Sequence, residues 1–151
     1  MVLFIMAAAA MFGYIMTRYQ LTNSIANFII AVCGNKYLFL LLVNILLLVV
    51  GCFMETTAAI LILAPILAPV LGTFGINPVH FGVIICLNVV IGIFTPPFGS
   101  ALFLGQAITG TSFAKIVKAM MPYYIPLIGV LLLVTLVPQL STWLPNLLYG
   151  A

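Results

Sequence analysis

The stretch GCFMETT, residues 51–57, interrupts a long apolar run and contains Glu55, the only carboxylate side chain in the chain. As one continuous helix, residues 37–72 would extend about 54 Å at ~1.5 Å per residue. The hydrocarbon core of a bilayer is only about 30 Å thick, and tilt absorbs a few residues of excess at most. The sequence therefore predicts a break at 51–57, with two half-helices folding back as a re-entrant hairpin over residues 37–72.

The composition predicts an all-α integral membrane protein. Of the 151 residues, 66% are hydrophobic and 3% are charged, with a mean hydropathy of +1.44, whereas about a quarter of the residues in a soluble domain are charged. Lipid is therefore the expected surroundings of the whole chain. The four basic residues are too sparse for nucleic acid. One Glu, one His and no Asp leave little material for acid–base catalysis, so we expect neither an enzyme nor a cofactor.

Hydropathy and turn signals divide residues 1–151 into segments of a single membrane module. A second region that cannot continue a regular helix is IGIFTPPFGS, residues 91–100, because it holds two adjacent prolines between two glycines. The predicted segments are a transmembrane helix at 1–17, an interfacial helix at 20–34, the hairpin at 37–72, a broken transmembrane helix at 78–110 and a final transmembrane helix at 119–137.

Two broken helical elements are a sequence indication of a transporter site near the bilayer midplane. Unwound carbonyls and half-helix C-termini bind cations in such sites. Polar residues cluster at the same two breaks, with Glu55, Thr56 and Thr57 at the first and Thr95 and Ser100 at the second. Asn88, Gly92 and Thr95 follow helical spacing, so they share one face of the helix that leads into the second break.

Several of these residues also have purely structural explanations. The proline pair could form a simple kink, and Asn44 and Asn88 could hydrogen-bond between helices. Glu55 could cap the N-terminus of the second half-helix, where a negative charge is favoured, or contact an ion directly. His80 follows a turn and is interpreted as an interfacial residue.

The motifs around the two breaks together resemble a known transporter family. They are G-x-F-x-E-T at 51–56, P-I-L-A-P at 65–69, G-I-x-P-V-H-F-G at 75–82 and N-x-x-I-G-x-x-T-P-P-x-G at 88–99. Their order and spacing resemble the C-terminal half of the large membrane subunit of tripartite ATP-independent periplasmic (TRAP) transporters, over roughly residues 1–148.

The resemblance implies an elevator-type, sodium-coupled importer in the bacterial inner membrane, built from inverted repeats. Its substrate would be a small organic acid, such as a C4-dicarboxylate or a sialic acid, delivered by a periplasmic binding protein. A small membrane subunit would brace the large one, and Na⁺ would be the coupling ion.

The resemblance also implies which residues form the site. The hairpin tip would be Gly51 to Thr56, and the unwound loop would be Gly92 to Gly99. Sodium ligands would be backbone carbonyls around Gly51, Met54 and Gly92 together with the Thr95 hydroxyl. The full set implied for sodium and substrate is Gly51, Met54, Glu55, Thr56, Asn88, Gly92, Thr95, Pro96, Pro97 and Gly99, with the two prolines holding the loop open.

The chain departs from the family in one respect, because it matches only the second of the two inverted repeats. We expect the missing N-terminal half to come from a longer reading frame or from a separate chain, and we expect no transport by this chain alone. A channel-like or structural membrane subunit and a non-functional fragment stay open as alternatives. An intramembrane enzyme using Glu55 and His80 is disfavoured, because the two residues lie beyond opposite ends of one half-helix.

Overall fold

A computed structural model describes residues 33–149 continuously, together with seven isolated positions between 4 and 19. The predicted transmembrane helix at 1–17 and nearly all of the interfacial helix predicted at 20–34 lie outside the continuous stretch. Within residues 33–149 the chain is helical, without a strand. The helices are α1 (Lys36–Phe53), α2 (Thr56–Thr73), α3 (Pro78–Ile93), α4 (Ser100–Thr109), α5 (Phe113–Leu136) and α6 (Gln139–Tyr149).

Within residues 33–149, three helices, α1, α2 and α5, are long and apolar enough to cross a membrane. Their most apolar windows have mean hydropathies of 2.4, 1.9 and 2.0, while α3 and α4 are shorter apolar helices. The prediction of an all-α membrane protein is confirmed.

Polar side chains at the helix starts explain where the helices begin. The Asn35 carboxamide oxygen accepts a hydrogen bond from the Tyr37 amide at 3.2 Å, and the Asn77 oxygen accepts one from the Val79 amide at 2.8 Å. Each bond satisfies one of the amides that a helix leaves unpaired in its first turn. Pro78 stands at the start of α3, where a missing N–H costs nothing.

Helix α3 lies at the centre and packs against α1, α2, α5 and α6. The starts of α1 and α3 are in contact, and so are their ends. Near the starts the rings of Phe39 and Phe81 stack, and near the ends Gly51 lies against Gly92. The two helices therefore run parallel, which places their C-terminal ends at the same level. Helix α5 runs antiparallel to α3, because Tyr124 contacts the end of α3 while Thr135, later in α5, contacts Asn44 at the level of Asn88 in the middle of α3.

Three buried polar side chains join α1, α3 and α5 at the middle of the bundle. Asn88 donates to the Asn44 carboxamide oxygen at 2.6 Å and to the Ile84 carbonyl at 2.8 Å. Asn44 donates to the Thr135 hydroxyl at 3.0 Å, which in turn donates to the Leu131 carbonyl at 2.7 Å. Asn44 and Asn88 thus form hydrogen bonds between helices, as their structural explanation in the sequence analysis proposed.

We expect Asn44→Leu to destabilise the bundle, because it removes two hydrogen bonds that cross between helices and leaves the Asn88 amide with only its bond to the Ile84 carbonyl. The expected loss is about 1–2 kcal/mol, as measured for polar contacts between membrane helices. Reversible unfolding in mixed micelles measures it. The double variant Asn44→Leu/Asn88→Leu should cost less than the sum of the two single variants. Strict additivity would show that the two side chains do not interact.

Two features differ from the predictions. Helix α5 begins at Phe113 rather than at 119, since the Ser112 carbonyl accepts the first helical bonds from Lys115 and Ile116. Polar side chains alone do not end a helix when they are good helix formers, as lysine is.

His80, interpreted as interfacial, is 1% exposed, and its Nδ1 lies at hydrogen-bond distance, 2.6 Å, from the Ser141 hydroxyl. This contact comes from α6, which the sequence pattern had not indicated.

Candidate functional site

The two helix breaks lie against each other. The first is the interval between α1 and α2, and the second is the segment 94–99 between α3 and α4. Because α1 and α3 run parallel and end at the same level, their C-terminal ends meet at one place. The structure therefore brings together the two regions that the sequence singled out.

Two glycines bring the backbones of α1 and α3 into contact just before these ends. A Cβ atom added to Gly92 would lie 2.7 Å from the Cα and carbonyl carbon of Gly51. A Cβ atom added to Gly51 would lie 3.0 Å from the Cα and carbonyl oxygen of Val89. Small residues of this kind let membrane helices approach closely. Gly51 and Gly92 are therefore packing residues of the site, whether or not their carbonyls also bind an ion.

At the first break, Glu55 is the N-cap of α2. One carboxylate oxygen accepts hydrogen bonds from the Thr57 amide at 2.9 Å and the Thr57 hydroxyl at 2.8 Å, and the other accepts one from the Ala58 amide at 3.0 Å. The positive end of the helix dipole favours a negative charge here. The capping explanation of Glu55 thus matches the structure, and both of its oxygens are already used for capping.

The first break also leaves backbone acceptors free. The Met54 amide donates to the Val50 carbonyl at 2.8 Å, after which the chain is extended through Met54 and Glu55. The carbonyls of the last turn of α1 have no partner within that helix. No described residue donates to those of Gly51, Cys52 and Phe53.

The second break is a compact loop. The Thr95 amide donates to the Gly92 carbonyl at 2.9 Å, and the Thr95 hydroxyl donates to the Ile91 carbonyl at 2.8 Å. The Gly99 amide donates to the Thr95 carbonyl at 3.1 Å. Pro96 and Pro97, joined by a cis peptide bond, lack the N–H groups that would continue a helix. A Cβ atom on Gly99 would lie 2.6 Å from the Ile93 carbonyl oxygen, so only glycine fits where the loop closes.

Side chains connect the two breaks. The Cys52 thiol donates to the Thr95 carbonyl at 3.1 Å. The rings of Phe53 and Phe98 lie with centroids 5.1 Å apart, a distance typical of favourable aromatic pairs. No pattern in the sequence singles out Cys52, Phe53 or Phe98, because their roles depend on which helices pack together. Their positions next to the predicted breaks are the signal that could have identified them.

A cavity of about 330 Å³ lies between the breaks, and residues of both breaks line it. The lining residues are Cys52, Phe53, Met54, Glu55, Thr56, Ile93, Phe98 and Ser100. Free helix-end carbonyls and hydroxyl groups beside such a cavity can bind a small cation.

The remaining predicted site residues lie next to the cavity or away from it. Thr95 and the two prolines belong to the loop beside the cavity, and Gly99 packs inside that loop. Asn88 does not line the cavity, because its side chain is fully buried in the network with Asn44. The structure thus brings together all of the predicted site residues except Asn88.

Comparison with known proteins identifies the family of the chain. A family model described as the DctM component of the tripartite ATP-independent periplasmic transporter matches residues 1–140. The chain is 42% identical over 146 residues to the C4-dicarboxylate TRAP transporter large permease protein DctM of Pseudomonas aeruginosa, covering 97% of the chain and 34% of that protein. It is also 42% identical over 139 residues to the sialic acid TRAP transporter large permease protein SiaM of Vibrio cholerae, covering 92% and 33%.

A further relative is closer to the chain in length. The chain is 36% identical over 149 residues to a putative dicarboxylate transporter subunit of Paracoccus pantotrophus, covering 99% of the chain and 71% of that protein. The chain spans about a third of the length of the P. aeruginosa and V. cholerae relatives. These relatives are named as transporter proteins, and the family is not enzymatic. The resemblance noted from the motifs is confirmed: the chain belongs to the DctM component family of tripartite ATP-independent periplasmic transporters.

Proposed function

We propose that the chain forms the C-terminal inverted repeat of a sodium-coupled, elevator-type importer in the bacterial inner membrane. The observation that carries this proposal is the meeting of two helix breaks around one cavity. In secondary transporters, discontinuous helices of this kind hold the coupling ion and one wall of the substrate site.

In this proposal α1 and α2 are the arms of a re-entrant hairpin whose tip is the interval that contains Glu55. The backbone at a tip within the membrane must be buried in protein or line a wet cavity. The cavity beside Met54 and Glu55 meets this requirement. The three capping hydrogen bonds of Glu55 would keep the tip in one conformation while other parts of the site move.

The sodium ligands we propose are the carbonyls of Gly51, Met54 and Gly92 together with the Thr95 hydroxyl. Supporting this choice, the ends of α1 and α3 both point the negative ends of their dipoles toward this region, and the Gly51 carbonyl receives no hydrogen bond from a described residue. The Thr95 hydroxyl donates one internal hydrogen bond, which leaves its oxygen free to accept or to bind an ion. The Gly92 carbonyl accepts from the Thr95 and Phe94 amides, so it would bind an ion in exchange for one of these bonds.

The proposed substrate is a small organic acid. Three of the relatives are named for C4-dicarboxylate, sialic acid and isethionate, all of them organic anions. The proposed partners are a periplasmic binding protein that delivers the substrate, a small membrane subunit and the N-terminal half of the large subunit. We expect the DNA flanking this reading frame to encode these components.

Uptake by reconstituted vesicles tests the proposal. The complete large subunit containing this sequence, with its small subunit and binding protein, is placed in proteoliposomes and supplied with radiolabelled organic acids. We expect accumulation only with an inward sodium gradient and only when the binding protein is present. Equal uptake with a potassium gradient would refute sodium coupling. A steady ion leak without coupled uptake would instead support the channel-like alternative.

A further inference from the structure

We propose that Tyr124 is a positioning residue for the second break, and that it sets the affinity of the site for Na⁺ without touching the ion. The inference rests on the proposed function, because it concerns the same sodium site. Its starting point is a hydrogen bond of 2.6 Å from the Tyr124 hydroxyl to the carbonyl of Phe94. Phe94 is the C-cap residue that directly follows the last helical residue of α3, Ile93.

The bond reaches the loop from a different helix, α5. In the low-dielectric interior of a membrane protein, a hydrogen bond from a phenol to a carbonyl is stronger than in water and fixes the positions of both groups. Tyr124 is half-buried, whereas the adjacent Tyr123 is 61% exposed. The Tyr123 hydroxyl has no hydrogen-bond partner within residues 33–149. Only one of two neighbouring tyrosines therefore acts on the loop.

Two consecutive loop carbonyls accept hydrogen bonds from side chains of two different helices. Tyr124 of α5 holds that of Phe94, and Cys52 of α1 holds that of Thr95. A phenol is a much stronger donor than a thiol, so Tyr124 is the stronger of the two ties. The orientation of these peptide groups fixes where the Thr95 hydroxyl lies, and that hydroxyl is one of the proposed sodium ligands.

The part of α5 that carries Tyr124 is also the part least bound by its own backbone. Pro122 and Pro126 flank the tyrosine within the helix. Each proline removes one backbone hydrogen bond, leaving the carbonyls of Lys118 and Pro122 without their usual donors. A small bend of α5 at this place would move the Tyr124 hydroxyl, and with it the Phe94 carbonyl. Through the hydrogen bond between Tyr124 and Phe94, a change in the shape of α5 can therefore alter the geometry of the ion site.

The test compares Tyr124→Phe with Tyr123→Phe in the complete reconstituted transporter. Both variants remove one phenol oxygen and nothing else. For Tyr124→Phe we expect the sodium concentration that gives half-maximal uptake to rise about threefold to tenfold, the range for losing one hydrogen bond. The maximal rate should stay close to that of the unmodified protein. The free energy of unfolding should fall by no more than about 1.4 kcal/mol, which is the equivalent of a tenfold change and the scale of one hydrogen bond. Tyr123→Phe should change none of these quantities.

A second measurement follows the loop itself in this chain. Hydrogen–deuterium exchange read by mass spectrometry should show the four loop amides, those of Phe94, Thr95, Phe98 and Gly99, exchanging faster in Tyr124→Phe than in Tyr123→Phe. Equal exchange, or equal sodium dependence in the two variants, overturns the inference. If the unmodified transporter takes up substrate without sodium, the proposed function is refuted instead. The exchange result then still shows whether Tyr124 holds the loop in place.

Discussion

Gly92→Ala is expected to force α1 and α3 apart and to disable the site between their ends. The added methyl group would lie 2.7 Å from two backbone atoms of Gly51 and 3.0 Å from the Cys52 amide nitrogen. Backbone atoms cannot rotate away as a flexible side chain can, so the helices themselves must separate. The Cys52 bond to the Thr95 carbonyl and the Phe53–Phe98 ring contact lie directly beyond this point and should weaken with it.

The expected cost is about 1–3 kcal/mol in the free energy of unfolding, the usual range for overpacking a well-filled interior. We also expect sodium-driven uptake by the complete transporter to fall to background, because displacement of about 1 Å is enough to disrupt a preorganised site. Unfolding in mixed micelles and uptake by proteoliposomes measure the two effects separately.

Gly82→Ala is the matched control, since Gly82 lies on the same helix and a Cβ atom there meets nothing within 4 Å. Alanine is the better helix former by about 1 kcal/mol, so this variant should be neutral or slightly stabilising. If Gly92→Ala behaves like Gly82→Ala in both assays, the close approach of the two helices is not needed for folding or transport.

The positions of both breaks could be predicted because their causes are local. A run too long for the bilayer, a single acid and a proline pair between glycines are visible in the sequence without knowledge of packing. The end of α1 at Phe53 and the end of α3 at Ile93 fall where these signals stand. The start of α5 was harder to place, because Phe113 to Lys118 contains no residue that forbids a helix.

The contacts between the breaks could not be predicted, because they depend on which helices pack side by side and in which direction. The Cys52 thiol bonds to the opposite break, a contact that no pattern in the sequence indicates. Tyr124 was interpreted only as part of an apolar span. Asn88 shares a helix face with Thr95, as the spacing indicated, but it lies two turns earlier and points into the interface with α1. Periodicity identifies a face, while the neighbour of that face is decided by the tertiary fold.

Glu55→Gln is expected to lower sodium-driven uptake by at least about tenfold, while the protein still inserts in the membrane. A carboxamide has one acceptor oxygen where the carboxylate has two, so either the Thr57 pair or the Ala58 amide loses its partner. The negative charge at the start of α2, beside the proposed cation site, is lost as well. A tenfold decrease is the scale of losing one charge-assisted hydrogen bond.

Two further variants separate the capping role of Glu55 from its charge. Glu55→Asp keeps the charge and a residue type preferred at helix N-caps, so it should retain a large part of the uptake. Thr57→Val removes the bond from the Thr57 hydroxyl and leaves the carboxylate in place, so its effect should be small. If Glu55→Gln transports as well as the unmodified protein, the acid is dispensable for coupling. If Glu55→Asp fails as completely as Glu55→Gln, the length of the side chain matters more than its charge. The geometry of the cap, with both oxygens held by the first turn of α2, would then be the property that the site requires.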